Sequence, residues 1–454
     1  MKILAIGVLA VCWMAAQEKE APPPLGTPKA FALPPVETYT LKNGMKVTLA
    51  QYGSVPIVGV GARMAFGHFN ESAEQVWLSN LTTELMKEGT QARTAAEVAN
   101  EAARMGGQLD VSAGNDESSV SLDVLSEFAA DAVKLVADVV RHPGLPESEL
   151  ERVRGNLLRQ LTVQLSTPQA QASQAFAANL YPGHSYGRLF PQESRLKSFT
   201  IADARKFYAD NAGAQRTHLY IVGRFDAAVK KAIEAAFQDW PAGPAVKRTP
   251  PSPVATGRMV LIDRPDAVQS TLAIGLAMPV SPADKDYVPL AVTNFLLGGA
   301  FTSRITNNIR EQKGYTYSPR SQVAARYRTS YWEESADVTT KFTGDSIHEI
   351  LFEIDRLRKE PPDAKELKGI QNLMGGFFVL QNSSNQGIIG QLSLVDLHGL
   401  PDDYLKNYIQ KVNAVTRQDV QRMAETYLSP SKMTFVVVGD KAKIEDSLKG
   451  YPPR

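Results

Sequence analysis

Hydrophobic and polar positions change their period several times along the chain, and each change marks an element. In Tyr39-Thr40-Leu41-Lys42-Asn43-Gly44-Met45-Lys46-Val47-Thr48-Leu49 the two kinds alternate on either side of an Asn-Gly pair. That pattern predicts a strand, a turn whose two central residues take positive φ, and a second strand. Pro56 to Ala65 reads as a further strand. A helical period runs from Glu74 to Lys87, with Leu78, Leu81 and Leu85 on one face. Ala95 to Met105 predicts a second helix, stopped by Gly106-Gly107. Gln108 to Asp123 alternates as one or two strands. Glu127 to Arg141 and the longer Pro146 to Leu165 return to the helical period, and acidic residues open the latter where the helix dipole favours them. His218-Leu219-Tyr220-Ile221-Val222-Gly223 predicts a buried strand ended by glycine.

The second half repeats the plan. Residues 241–257, with Pro241, Pro244, Pro250, Pro251 and Pro253, form the candidate linker between domains over 38–240 and 258–454. Strands are expected at Met259 to Ile262 and Gln269 to Met278, and helices at Tyr287 to Leu297, Arg304 to Gln312, Asp345 to Lys359 and Ala364 to Asn382. The half closes on Thr434-Phe435-Val436-Val437-Val438-Gly439, which echoes Leu219 to Gly223. Two runs of the same order argue duplication. The grouping of strands and helices points to α+β, each domain a mainly antiparallel sheet packed with helices.

Composition narrows the function. The 454 residues exceed one ordinary core, and a net charge of +1 provides no field for nucleic acid or anionic membrane. Met1-Lys2 followed by the apolar run Ile3 to Ala16 is too short for a ~20-residue membrane span and fits a secretory signal over residues 1–16. The only cysteine, Cys12, lies in that run. Leu9-Ala10-Val11-Cys12 has the order of a lipoprotein box, with Val11 too bulky before the cysteine, so export as a secreted or periplasmic protein is the expectation and lipid anchoring its alternative. Residues 17–37, rich in proline, read as an extended tether.

Candidate chemistry centres on two segments. Val76-Trp77-Leu78-Ser79-Asn80-Leu81-Thr82-Thr83-Glu84-Leu85-Met86-Lys87-Glu88-Gly89-Thr90 resembles the zinc helix of the pitrilysin/insulinase metallopeptidases, the inverzincins, which carry H-x-x-E-H there. The ligand positions hold Asn80 and Glu84, and the general-base position holds Thr83. A neutral amide is a poor zinc ligand, and one carboxylate is not a site. The stretch matching the family's third ligand, Asn156-Leu157-Leu158-Arg159-Gln160-Leu161, has no acid. None of the six histidines stands at ligand spacing from another. The string from Gly298 through Phe301-Thr302-Ser303-Arg304 to Arg310-Glu311-Gln312-Lys313-Gly314-Tyr315-Thr316-Tyr317 is similar to the family's second-domain signature.

The resemblance covers nearly all of the chain from Val36 onward. It implies two homologous α+β domains forming half of a clamshell, no cofactor bound by this chain, and Arg310 and Tyr317 facing a zinc site in a paralogous partner. In that reading the arginine binds a substrate carbonyl and the tyrosine donates to the developing oxyanion. Tyr315 is the alternative tyrosine; Arg304 and Glu311 read as structural. Two functions follow: a zinc-less subunit of a heteromeric peptidase acting on short peptides, or a non-catalytic peptide-binding or assembly protein on a peptidase-like fold.

Overall fold

A computed structural model describes residues 32–452 with the exception of 253, 255 and 256. The predicted signal segment, Cys12 and most of the tether lie outside the described residues. The strands are β1 Val36–Thr40, β2 Lys46–Gln51, β3 Ile57–Met64, β4 Asp110–Ala113, β5 Ser118–Leu125, β6 Thr217–Gly223, β7 Arg258–Asp263, β8 Gln269–Met278, β9 Arg320–Arg326, β10 Thr329–Thr339 and β11 Thr434–Gly439. The first half carries helices α1 Leu78–Lys87, α2 Ala95–Arg104, α3 Ala129–Arg141, α4 Leu150–Leu165, α5 Pro168–Leu180, α6 Glu193–Ser198, α7 Ile201–Asn211 and α8 Ala228–Phe237. The second carries α9 Tyr287–Asn294, α10 Thr343–Lys359, α11 Ala364–Gln381, α12 Asn385–His398, α13 Tyr408–Ala414, α14 Arg417–Tyr427 and α15 Lys441–Ile444. Two π-helical stretches, Phe295–Gly299 and Thr306–Gln312, follow α9.

Six strands form one sheet in the order β1-β2-β6-β3-β5-β4, and five form another in the order β7-β11-β8-β10-β9. Each sheet is antiparallel except for one parallel pair. β2 runs parallel to β6 from Lys46↔His218 to Gln51↔Gly223, and β7 runs parallel to β11 from Arg258↔Thr434 to Asp263↔Gly439. The six-residue register repeats, so the two echoing Val-rich strands occupy equivalent central places. Each sheet has its own core: Val47, Leu49, Val60, Leu81, Val133 and Leu219 belong to the first, and Leu272, Ile274, Trp332, Ile347, Ile350 and Phe435 to the second. Two helices cross over. α5 of the first half packs on β8 and β11, and α12 of the second half packs on β3, β5 and β6.

Local signals explain where elements start and stop, and two expectations need correction. The Asn43-Gly44 hairpin forms, but its loop spans residues 41–45 between the paired Thr40 and Lys46, and of the two turn residues only Gly44 takes positive φ, at 91°. The Asn43 amide instead donates to the carbonyls of Phe237 (2.7 Å) and Trp240 (3.0 Å), which ties the loop to the end of α8 and fixes a longer turn. The helix expected from Glu74 begins only at Leu78. Trp77 stands at φ 71°, and the buried Glu71 carboxylate accepts from the backbone N–H groups of Trp77 (3.1 Å) and Ser79 (2.8 Å) and from the Ser79 hydroxyl (2.5 Å). That distant carboxylate satisfies N–H groups a helix start leaves open.

Candidate functional site

The three positions of the predicted zinc helix do not converge. Asn80 is held by a histidine far away in sequence terms for a helix: its Oδ1 lies 2.8 Å from His68 Nε2, while His68 Nδ1 lies 3.4 Å from Asn115 Oδ1. The fully buried Thr83 turns its hydroxyl back onto its own helix, donating to the carbonyls of Ser79 (3.0 Å) and Asn80 (3.1 Å). Glu84 points outward and pairs with Lys87 at 2.8 Å on the neighbouring turn. Arg159 donates to Asn156 one turn earlier on the exposed face of α4. A catalytic zinc needs three inward-pointing protein ligands and a free position. An amide engaged by a histidine, a hydroxyl spent on backbone and a solvent-side carboxylate do not fit it. Among the described residues, no group of three His, Cys, Asp or Glu side chains is arranged to hold a metal ion. The approach of His68 to Asn80 was not legible in the sequence, because the short 3-10 turn His68–Asn70 is folded back through bonds such as His68 N–H to the Gly114 carbonyl.

The second-domain segment is built differently. Arg310 lies within the π-helical stretch Thr306–Gln312, a wide turn that often marks functional positions. Its guanidinium sits 4.3 Å from the ring centre of Phe301 and 5.0 Å from that of Tyr317, so two aromatic faces hold one cation. Its Nε lies 3.2 Å from Glu311. Both rings stand in solvent, Phe301 at 68% and Tyr317 at 79% exposure. The predicted pair is thus brought together, with the phenol free to meet another molecule. Tyr315 instead stacks on Phe342 with centroids 4.3 Å apart. Arg304 forks onto both oxygens of Glu366 at 2.8 Å, a structural bidentate pair joining the segment to α11.

Beneath the segment lies a polar group sequence reading missed. Glu334 of β10 is completely buried, and among the described residues neither carboxylate oxygen has a close, well-aligned hydrogen-bond partner. Burial pushes its carboxyl well above the ordinary carboxylate range, against a weak opposing contact from the Arg320 backbone and with Glu333 adding to the shift. Gly298 covers it. A Cβ there would stand 2.6 Å from Glu334 Oε2 and 2.5 Å from Ser321 Oγ, so only glycine lets the π-turn close over the acid. Alongside, Asn294 Oδ1 accepts from Ser321 Oγ (2.7 Å) and from the Trp332 indole (2.9 Å), fastening the turn to the sheet.

Comparisons with known proteins agree with this architecture. Residues 46–190 match the sequence profile described as Insulinase (Peptidase family M16), and residues 198–374 match that of the Peptidase M16 inactive domain. An uncharacterized zinc protease of Bacillus subtilis is 24% identical over 398 residues, covering 86% of this chain and 95% of its own. One of Mycobacterium bovis is 24% identical over 418 residues, covering 88% and 92%. Among solved structures, a protease from Helicobacter pylori superposes with a TM-score of 0.83 at 18% identity over 90% of this chain and 100% of its own. A peptidase M16 inactive domain from Pseudomonas fluorescens gives 0.80 at 23% identity, over 89% and 98%. The two sheets, their helices and the two profiles in tandem place this chain in the insulinase-type peptidase family M16.

Proposed function

We propose that the chain is a zinc-less subunit of a secreted or periplasmic heteromeric metallopeptidase that degrades short peptides, lending Arg310 and Tyr317 to the zinc site of a paralogous partner. One observation carries the reading: Arg310 and Tyr317 form an exposed cation–aromatic unit while Asn80, Thr83 and Glu84 each spend their polar atoms elsewhere. A tyrosine hydroxyl kept in solvent beside a guanidinium is a donor waiting for a charge to develop, and such preorganised donors are worth ~10²–10³ in rate. The chain itself binds no cofactor in this reading; zinc belongs to the partner. The peptidase-like domain retained as a scaffold is the competing function, and it gives no reason for the aromatic pair to flank Arg310 in the open.

The test is to mix the full chain with a zinc-bearing paralogue and follow cleavage of short peptides. Each chain alone is expected to be inactive or weak, and the complex active. Tyr317→Phe should lower kcat more than it raises KM, because its bond forms only in the transition state. Arg310→Ala should affect both. Wild-type kinetics from the double variant in a confirmed complex would leave the scaffold as the better account.

A further inference from the structure

The first sheet has a second face, away from α1, and charge collects at one end of it. Along β3 the apolar Val58, Val60, Ala62 and Met64 face the main core. The alternate residues Gly59, Gly61 and Arg63 therefore share the face covered by α12. A Cβ on Gly59 would meet Asn385 at 2.9 Å, and one on Gly61 would meet Ile389 at 3.0 Å, so the two glycines admit α12 close to the sheet. Past them, beneath the end of α12, lies a cavity of about 200 Å³ whose charged walls are Lys46, Arg63, Arg216, Arg248, Glu117 and Asp396. It shares Val246, Arg248, Asp396 and Leu397 with an adjoining groove of about 810 Å³ that also runs along Tyr327 and Arg328.

The charges in the cavity do not balance. Asp396 is already taken, by Lys46 at 2.7 Å and His218 at 3.3 Å. Glu117 accepts from Ser393 at 2.8 Å and stands 3.9 Å from Arg248. Arg216 is spent on the backbone carbonyls of Ala65 (2.8 Å) and Ala245 (3.1 Å), which hold it without neutralising it. Burial, and to a lesser degree the nearby Arg248 charge, lower its pKa. Among the described residues the Arg63 side chain makes no hydrogen bond and no close ion pair, its charge reaching Glu117 only at longer range, and the Nε atoms of both Arg63 and Arg216 are buried without a partner. A donor shut off from solvent without a partner is costly, and a guanidinium fork is shaped for a planar or tetrahedral oxyanion.

We infer that this cavity is an oxyanion-binding site, taking a carboxylate or phosphate group through Arg63 and Arg248 in the positive field of the backbone-held Arg216, with the remainder of the ligand lying along the adjoining groove. The inference stands apart from the role of Arg310 and Tyr317. A ligand here touches strands of the first sheet, the linker at Val246 and Arg248, and α12 of the second half, so its binding tightens the junction between the halves.

The experiment follows the thermal midpoint of the full chain in rising inorganic phosphate, with sodium chloride at equal ionic strength as control. A parallel arm uses a short peptide with a free C-terminal carboxylate and its amidated twin. A saturable upward shift with phosphate, with the carboxylate peptide, or with both is expected, and none with chloride or the amide; the responding arm identifies the anion. Arg63→Gln should abolish the shift while leaving the ligand-free midpoint equal to or above that of the wild type, since it removes a charge without a close partner. Arg63→Lys should bind more weakly, keeping charge but losing the fork. A shift that follows ionic strength alone, or that persists in Arg63→Gln, overturns the site. A lower ligand-free midpoint in Arg63→Gln also overturns it, because the arginine would then serve the electronegative end of α12.

Discussion

The two exchanged helices sit on equivalent sheets in unlike seats. α5 lies in an apolar seam, with Phe176, Leu180 and Tyr181 against Ala273, Ala277, Val436 and Val438. α12 covers a smaller cluster, Ile388 and Ile389 on Ala50, Tyr220 and Val222, and then gives way to charge. The repeated register pairs the ends residue for residue: Lys46 opposite His218 in one sheet corresponds to Arg258 opposite Thr434 in the other. Lys46 meets Asp396 of α12 at 2.7 Å, and Arg258 meets Asn179 of α5 at 2.7 Å. Behind Asp396 stands His218, in turn 2.7 Å from Thr48 Oγ1 and 2.9 Å from the Tyr220 hydroxyl. The two sheets share one backbone plan, while the polarity of their seams differs. The apolar seam holds its helix by burial, and the polar one by placing charges.

The largest effect expected from this contrast is in the apolar seam. Phe176→Ala should destabilise the chain by ~3–5 kcal/mol, the usual cost of deleting a buried aromatic, and denaturant titration of purified protein measures it. Ile389→Ala in the α12 seat should cost less than Phe176→Ala, because the cluster around it is smaller. The reverse order would break the comparison.

A smaller effect belongs to Asp396. Burial raises its pKa, but hydrogen bonds from His218 and Lys46 outweigh that and hold it at about 2. The folded value lies below the unfolded one of about 3.9, so this stabilisation is fully present above about pH 4 and is lost as pH falls toward 2. Asp396→Asn should cost about 1–2 kcal/mol at neutral pH and should flatten that part of the acid-side loss. Identical acid unfolding curves for variant and wild type would remove the charge from the account of this seam.

The smallest effect sharpens a second difference between the sheets. Ala62 pairs with Val120 in the first sheet, and the equivalent Ile274 pairs with Glu334 in the second. A fully buried carboxyl thus stands where its counterpart is a fully buried valine. Its pKa is raised, so the folded state holds the proton more tightly than the unfolded chain. That contribution is complete below about pH 4.3, the unfolded value, and is lost as pH rises toward the folded pKa. Glu334→Gln should leave stability at low pH nearly unchanged and raise it at pH 8 relative to wild type, read by thermal midpoints at the two pH values. A drop at both would mean that the acid, rather than the shape it fills, secures the turn at Gly298.

Much of the fold was written in local pattern. β8 begins and ends at the residues its hydrophobic run predicts, Gln269 and Met278, and the strands ending at Gly223 and Gly439, which echo each other, are both formed. Period and terminal glycine suffice there because each run is buried on both faces and admits one conformation. The sequence also determined that Arg310 and Tyr317 share one short segment, and that Asn80, Thr83 and Glu84 stand within one helical stretch. Tertiary structure alone decided the rest. Glu71 sets the start of α1, His68 reaches Asn80, Phe301 and Tyr317 sandwich Arg310, and Asp396 crosses from the second half to Lys46 and His218. These contacts are made by side chains that meet only in the folded chain, and no local period encodes such a pairing; those of Asp396 are fixed only when α12 docks on the first sheet.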